Sequence, residues 1–371
     1  MIWGWQRFVV VLFFWLLEFF VAAYGFLHTF FYSHLARLPR HPTALHFGLS
    51  IAKLGAFLAN LNAALLILSM CRALLTRISM TRIVRVLDLD LLLPLHRWSS
   101  YMLVLGGLIH VAAHLMNGVL LAVNWAHQTL VIGYILVLLI FLIACTAYIR
   151  SIKIRTFEVF RYIHYLWFPT MILLILHGQF CFLRNDLGKC VGSTTIYWVG
   201  ISLIFSLLDS FYVLRRTLKF AYISKVIQHP SNVYEVQIKK PNFIFLSGQH
   251  LYLNVPAISR LQWHPFTITS APEEDHLSIH VRIVGDWTKA LHTRLLKPRL
   301  EYIRLYVDGP YGSACQNYEK YTSIICIGAG IGQTPFASIL KSLWFRLNRP
   351  ISPVPFKAIH FVGICRSPAV S

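Results

Sequence analysis

Six runs of the chain are long and apolar enough to cross a bilayer, at about 8–30, 44–70, 99–123, 128–149, 159–180 and 194–214; each crossing needs roughly 20 residues of helix. Inside hydrocarbon every backbone N–H and C=O must find a partner within its own segment, so runs of this length fold as a bundle of helices. Composition agrees, because 57% hydrophobic with only 13% charged residues is a membrane balance. The first run carries Arg7 but no charged n-region beyond it and no small-residue cleavage site close behind. It therefore reads as a retained span rather than a signal peptide.

Charge sets the orientation. Arg72, Arg77, Arg82, Arg85 and Arg97 lie in the connection 71–98, and Arg150, Lys153, Arg155 and Arg161 in 150–161. Arg215, Arg216, Lys219 and Lys225 follow the last span, whereas the opposite loops hold only Arg37, Arg40, Arg184 and Lys189. Basic connections stay on the cytoplasmic side, which places both termini there. This asymmetry accounts for the formal net charge of +20, and no basic soluble face marks a nucleic-acid binder. Of the seven cysteines, Cys181 and Cys190 share an outward loop where a disulfide is open to them. Cys71, Cys145, Cys315, Cys326 and Cys365 show no C-x-x-C spacing, which argues against a zinc site.

Ionisable residues inside spans are costly and mark function. The third span carries His96, His110 and His114, and the fifth carries His164 and His177. His96 and His110 return to within about 40° of one helical face, roughly 21 Å apart along the axis. His164 and His177 have a similar axial separation, but thirteen residues turn a straight helix by about 220°, off that face. Pro169 lies between them and predicts a break or kink that corrects the angle. A lone membrane histidine is as readily a hydrogen-bonded bundle residue as a ligand; four at matched spacing on two helices favour ligation of two stacked haems. The topology then pairs His96 with His164 at the inner level and His110 with His177 at the outer. His114 falls on the outer side of the outer pair. Lys53 is a second polar group near that edge, or a lysine snorkelling to the interface.

Behind residue 217 the pattern changes. Eight of the fourteen acids fall there, and VYEVQIKK, HLYLNVP, FTITS and LSIHVRIV alternate as antiparallel strands of a small barrel. Residues 264–275, HPFTITSAPEED, are a polar island in this region. Phe266 could lie against a flavin ring, Thr267, Thr269 and Ser270 could reach polar ring atoms or phosphate, and His264 and Arg282 offer donors. On residue types alone, an ordinary polar-faced strand fits that stretch equally well. Further on, a buried strand at 323–327 runs into Gly328, Gly330 and Gly332, and a helix opens near Thr334 and Pro335. Glycines there let a backbone approach a pyrophosphate at a helix N-terminus, a moderate sign of a nucleotide site.

The runs WHPFTITSAPEEDHLSIHVRIVGDWT (263–288), VDGPYG (307–312) and GAGIGQTPFASILKSLW (328–344) resemble the NADPH oxidase family of superoxide-generating transmembrane enzymes. So do LHRWSSYMLVLGGLIHVAAHLMN in the third span and FEVFRYIHYLWFPTMILLILHG in the fifth. The resemblance implies a six-helix transmembrane haem bundle at 1–216, a β-barrel FAD domain at 217–312 and the start of an α/β nucleotide-binding lobe at 313–371, ferredoxin-NADP reductase-like in kind. It implies His96, His110, His164 and His177 as haem ligands, and His264, Pro265, Phe266, Thr267, Ile268, Thr269 and Ser270 as the FAD segment, continued by Arg282, Trp287 and Thr288. Gly328, Gly330, Gly332, Thr334 and Pro335 then match the NADPH turn, with Arg366 suited to a 2′-phosphate. His114 matches the histidine at the outer oxygen site. Lys53 stands where the family carries arginine, keeping the charge but losing the planar fork. The short outward loop 179–193 favours superoxide over hydrogen peroxide, and the absence of calcium-binding hands before the first span argues against calcium gating. The family pattern runs through Arg366 and then stops, which implies an incomplete lobe.

The implied activity is transfer of electrons from NADPH through FAD and two haem b groups to molecular oxygen. A ferric reductase with the same wiring, and a non-catalytic haem protein that occupies oxidase partners, are the rivals. The implied partners are cytosolic activator proteins and a small membrane subunit, in the plasma membrane or an intracellular vesicle membrane.

Overall fold

A computed structural model describes residues 2–32, 43–79, 91–121, 128–180, 193–297, 300, 303–348 and 357–364. Cys181, Cys190, Arg366 and most of the outward loop 179–193 lie outside the described residues. The chain divides into two compact units, Met1–Cys71 with Leu91–Leu208, and Arg72–Asp90 with Asp209–Ser371.

The first unit is helical. Helix α1 (Ile2–Leu27) ends in one wider π turn at His28–Tyr32, and α2 (Thr43–Leu68) and α4 (Leu92–Leu121) follow, with the short α3 (Arg72–Ser79) between them in sequence. Then come α5 (Gln128–Tyr148), α6 (Arg150–Arg155), α7 (Phe157–His164), α8 (Trp167–Gln179) and α9 (Thr195–Thr217). Among the described residues six helical stretches meet the length and apolarity of a membrane span. Their outward faces are apolar, with Phe13, Phe19, Phe20, Leu108, Met116 and Phe141 exposed, as lipid-facing surfaces are.

One boundary differs from the sequence reading, and one expected break is present. The third span begins at Leu92, not near 99, because Pro94 sits in the first turn, where its missing N–H has no helical partner to lose. The connection 71–98 contains α3, whose Leu74 N–H donates to Asp209 Oδ1 at 2.6 Å. The fifth span is broken into α7 and α8 by a turn at Tyr165–Leu166. Pro169 cannot donate to Tyr165, and the chain tightens there, with Leu166 N–H on Ile163 O at 3.0 Å.

Helices α2 and α4 meet at glycine. A methyl added at Gly55 would stand 2.6 Å from Gly106 O and 2.7 Å from the His110 nitrogen, and one at Gly106 2.8 Å from Gly55 O. Gly55, Ala59 and Ala63 recur every fourth residue on α2, the small-residue stripe that lets membrane helices approach backbone to backbone.

The second unit holds β1 (Tyr222–His229), β2 (Val233–Lys239), β3 (His250–Asn254), β4 (His264–Thr267), β5 (Leu277–Arg282) and β6 (Tyr306–Tyr311), with α10 (Asp286–Leu295) between the last two. They form two antiparallel sheets, β1-β2-β5 and β4-β3-β6. Single bridges at Ile268–Ile279 and Ala221–Leu305 join β4 to β5 and β1 to β6, so the strands run round in the order β1-β2-β5-β4-β3-β6. Their inward residues, among them Ile223, Ile238, Leu251, Ile268, Ile279 and Val307, form one buried core. Within this second unit, which includes the last turns of α9 from Asp209 on, Arg216 donates to Asp308 and to Tyr311 Oη. Beyond the sheets, β7 (Ser323–Ala329) pairs parallel with β8 (Ala358–Ile364), and α11 (Thr334–Leu347) lies between them in sequence, as in an α/β unit.

Candidate functional site

The break in the fifth span brings all four expected histidines into two facing pairs. The His96 and His164 rings lie 6.3 Å apart between centroids, and those of His110 and His177 6.2 Å apart. A metal–imidazole bond is about 2.0–2.1 Å, and a ring nitrogen lies about 1.1 Å from its own centroid. Two imidazoles on opposite sides of one metal therefore have centroids about 6.2–6.4 Å apart. Both pairs stand at that separation.

Three of the four tautomers are set as a metal site requires. His110 Nδ1 donates to Ala52 O at 2.9 Å, and His177 Nδ1 to Thr129 O at 3.0 Å. Ser69 gives its own hydroxyl proton to Leu66 O at 2.9 Å, so its oxygen accepts from His96 Nδ1 at 3.1 Å. With the proton held on Nδ1, Nε2 presents its lone pair. Sequence reasoning missed these supports, two of them main-chain carbonyls; the small-residue stripe on α2 was the signal available for Ala52.

Space for a flat cofactor is also present. Gly107 falls on the helical face of His96 and His110, and a methyl added there would meet nothing within 4 Å. The donor set fits a bis-histidine haem at each level, and the gap lies one turn from His110, at the outer one. His114 packs one turn beyond, its ring 4.5 Å from that of His110. Lys53 follows Ala52 on α2 and is half-buried.

In the second unit, β4 presents His264, Pro265, Phe266 and Thr267, paired with Leu253, Tyr252, Leu251 and His250 of β3. The His264 ring stacks 4.1 Å from buried Trp287, with Phe266 at 6.1 Å. Three hydroxyls offered to the flavin are committed elsewhere. Thr269 Oγ1 bonds Ser278 Oγ and His280 Nδ1, each at 2.9 Å, and Ser270 Oγ accepts from Ser278 N–H at 3.0 Å. Thr288 Oγ1 caps α10, accepting from the Val284 and Gly285 N–H groups at 3.0 Å. Burial drives this, since Ile268, Thr269 and Ser270 are 0% exposed and a buried hydroxyl must be satisfied. Phe266 packs against the barrel core beside Leu251 and Trp287, and alternation puts His264 on the same inward face and Pro265 and Thr267 on the opposite one.

The acids of the polar island fasten it. Glu274 accepts from Ala271 N–H at 2.6 Å and pairs with Lys341, Glu273 accepts from Ser342 Oγ at 2.9 Å, and Asp275 pairs with Lys239. Ser338 Oγ donates to Ser270 O at 2.7 Å, so α11 is stitched to the segment along its length.

At the glycine turn, Gly330 has φ +52°, and a methyl at Gly328 would stand 2.9 Å from Gln333 Cγ. Gly332 has open space beside it, and Pro335 occupies the first turn of α11. Thr334 Oγ1 donates to Ile331 O at 2.8 Å. A methyl at Gly330 would lie 3.8 Å from Arg282 Nη1, so the exposed Arg282 guanidinium stands over this turn.

A further cluster, outside every motif read from the sequence, joins His229, Glu235 and His280. Burial raises the Glu235 pKa, but hydrogen bonds from Gln237 and His229 outweigh it, and the carboxyl is held below its ordinary range. Burial pushes His280 down.

Residues 57–175 match the ferric reductase like transmembrane component family, and 218–315 match an FAD-binding domain. The chain is 32% identical over 358 residues to a superoxide-generating NADPH oxidase heavy chain of Dictyostelium discoideum, covering 86% of this chain and 67% of the relative. It is 29% identical to NADPH oxidase 1 of Mus musculus, covering 86% and 66%. Another superoxide-generating heavy chain of Dictyostelium discoideum is 31% identical, covering 85% and 51%. The chain thus spans about half to two thirds of the length of these curated relatives. Among solved structures, a ferredoxin-NADP+ reductase from Plasmodium falciparum aligns at TM-score 0.34 and 18% identity, over 42% of this chain and 64% of that one.

Proposed function

We propose that this chain, which belongs to the NADPH oxidase family, carries electrons from cytosolic NADPH across a membrane to molecular oxygen and releases superoxide. The observation that supports this best is the pair of histidine couples, each at bis-imidazole separation, with the Nδ1 atoms of His96, His110 and His177 anchored. His96 and His164 would hold the inner haem b, and His110 and His177 the outer. FAD, when bound, converts a two-electron donor into single electrons, and the haems carry single electrons through a low-dielectric layer.

The residues divide the remaining work. The strand 264–267 seats the flavin through Thr267 and Pro265 on its outer face, while Phe266, His264 and Trp287 brace it from the core side. Arg282 supplies positive charge to a pyrophosphate. Gly328, Gly330 and Gly332 let the nucleotide approach the N-terminus of α11, and Arg366 takes the 2′-phosphate. His114 and Lys53 orient oxygen and stabilise its developing negative charge beside the outer couple. Both termini face the cytoplasm in this reading, in a plasma or vesicle membrane, and cytosolic activators with a small membrane subunit complete the assembly.

The match to the ferric reductase component favours one second reading, the same wiring with iron as acceptor. The test is the full chain in nanodiscs supplied with haem, FAD and NADPH. Superoxide dismutase-sensitive reduction of cytochrome c without added iron supports the oxidase. NADPH oxidation that starts only with ferric chelate supports the reductase. An absent Soret band would sink both.

A further inference from the structure

The register of β1, β2 and β5 gathers two imidazoles and a carboxylate on one sheet face. Glu235 pairs directly with His280 across β2–β5 and with Ile227 across β1–β2, and His229 lies two residues past Ile227. Alternation places all three on the outer face, opposite the buried Tyr234, Val236, Ile279 and Val281. His229 Nε2 stands 3.3 Å from Glu235 Oε2, His280 Nε2 stands 4.0 Å from the same oxygen, and all the ligand atoms fall within 4.8 Å of one another.

We propose that His229, Glu235 and His280 form a binding site for a divalent transition metal of the Zn2+ class, separate from the haem and nucleotide sites. Tetrahedral bonds of about 2.0–2.2 Å set ligand atoms about 3.3–3.5 Å apart. One edge already has that length, a second closes by about 0.6 Å and the third, within 4.8 Å, by at most about 1.5 Å, which side-chain rotation supplies. Two imidazoles with one carboxylate suit zinc and its neighbours, whereas Ca2+ and Mg2+ need mostly oxygen.

The neighbours of the ligands point the same way. His280 Nδ1 is engaged by Thr269 Oγ1 at 2.9 Å, directing Nε2 at the site, and Gln237 Nε2 donates to the other Glu235 oxygen at 3.0 Å. Such partners orient metal ligands. An ion pair needs one imidazole per carboxylate. Here a second ring stacks on the first at 5.2 Å and 28°, and two imidazolium ions so placed would repel. A metal shared by two neutral rings removes that conflict. The His229 side chain is 39% exposed, which leaves the fourth position to water. Because Thr269 belongs to the 264–270 segment, an occupied site would also stiffen that segment from behind.

The experiment is Zn2+ titration of the purified, haem-loaded full chain against a chromophoric chelator. It includes His229→Ala, Glu235→Gln and, as a control outside the cluster, His276→Ala. The expected result is one Zn2+ equivalent that weakens at least about 10-fold in the first two variants and is unchanged in the third. Equal binding in all four chains, or equal loss in the control, overturns the proposal. If a cluster variant does not fold, zinc X-ray absorption on the wild-type chain decides. Two imidazoles with oxygen ligands per zinc support the site, and any other ligand set overturns it.

Discussion

Gly55→Ala tests whether the α2–α4 contact prepares the outer histidine pair. The new methyl would stand 2.6 Å from Gly106 O and 2.7 Å from the His110 nitrogen, where an ordinary contact begins at 3.4 Å. Backbone lies on the far side, so no side chain can swing away and the helices must part. A separation of about 0.7–0.8 Å takes the 2.9 Å bond between His110 Nδ1 and Ala52 O to about 3.6–3.7 Å, beyond hydrogen-bond range. Overpacking of this kind costs about 1–3 kcal/mol, and losing the partner that orients a metal ligand lowers metal affinity roughly 10–100-fold. His96 and His164 lie on the other side of the contact and keep Ser69, so the inner site should fill normally. The assay is the pyridine haemochrome of purified chain, which should fall from about two haems per chain towards about one, with one midpoint lost from the redox titration. Gly200→Ala is the control, since its methyl meets only Ile196 Cγ1 at 3.7 Å. Full haem content with both midpoints unmoved in Gly55→Ala would refute the argument, as would an equal loss in the control.

Four further outcomes are expected. Gly107→Leu should fill the open space on the histidine face and reduce haem incorporation while α4 stays helical, measured by Soret absorbance against far-ultraviolet dichroism. Trp287→Ala should destabilise the second unit by about 3–5 kcal/mol, as large buried aromatics do, and release FAD as His264 loses its backing; denaturant unfolding followed by flavin fluorescence reports both. Arg282→Ala should weaken FAD retention on the order of 10-fold or more, the size of a charged hydrogen bond, with Arg282→Lys in between, measured by equilibrium dialysis. Burial brings the Lys240 pKa down from 10.5 to about 8, so from pH 8 to 10.5 the unfolded chain binds more protons at this residue and stability rises with pH. The Tm of wild type relative to Lys240→Met should therefore climb across that window, and a flat difference would remove Lys240 as the cause.

The helical half was legible because membrane spans obey one rule, apolar length, which survives any packing detail. What the sequence could not carry was how a helix starts or breaks. Pro94 reads as a stop in a loop and a start in a first turn, and only the helix continuing behind it decides between them. Pro169 was a better signal, since the two histidines behind and ahead of it could not share a face on a straight helix. Geometry demanded a break, and the chain supplies one at Tyr165–Leu166.

The site divides along the same line. The proposed ligand histidines show in a sequence because they are expensive in a bilayer, but the groups that orient them do not, because Ala52 and Thr129 contribute main-chain carbonyls that any residue carries. The polar island shows the converse. Its hydroxyls looked like ligand groups, yet Thr269 and Ser270 bond to β5, while Glu273 and Glu274 bond to α11. Residue type announces polarity without saying which side it faces, and strand alternation resolves that only once register is known. The same ignorance of register hid His229, Glu235 and His280, which are scattered over fifty residues of sequence. They become neighbours only when β2 pairs with β5 at Glu235–His280. Composition marks where a chain spends free energy on polar groups, and strand register determines whether those groups meet each other or a ligand.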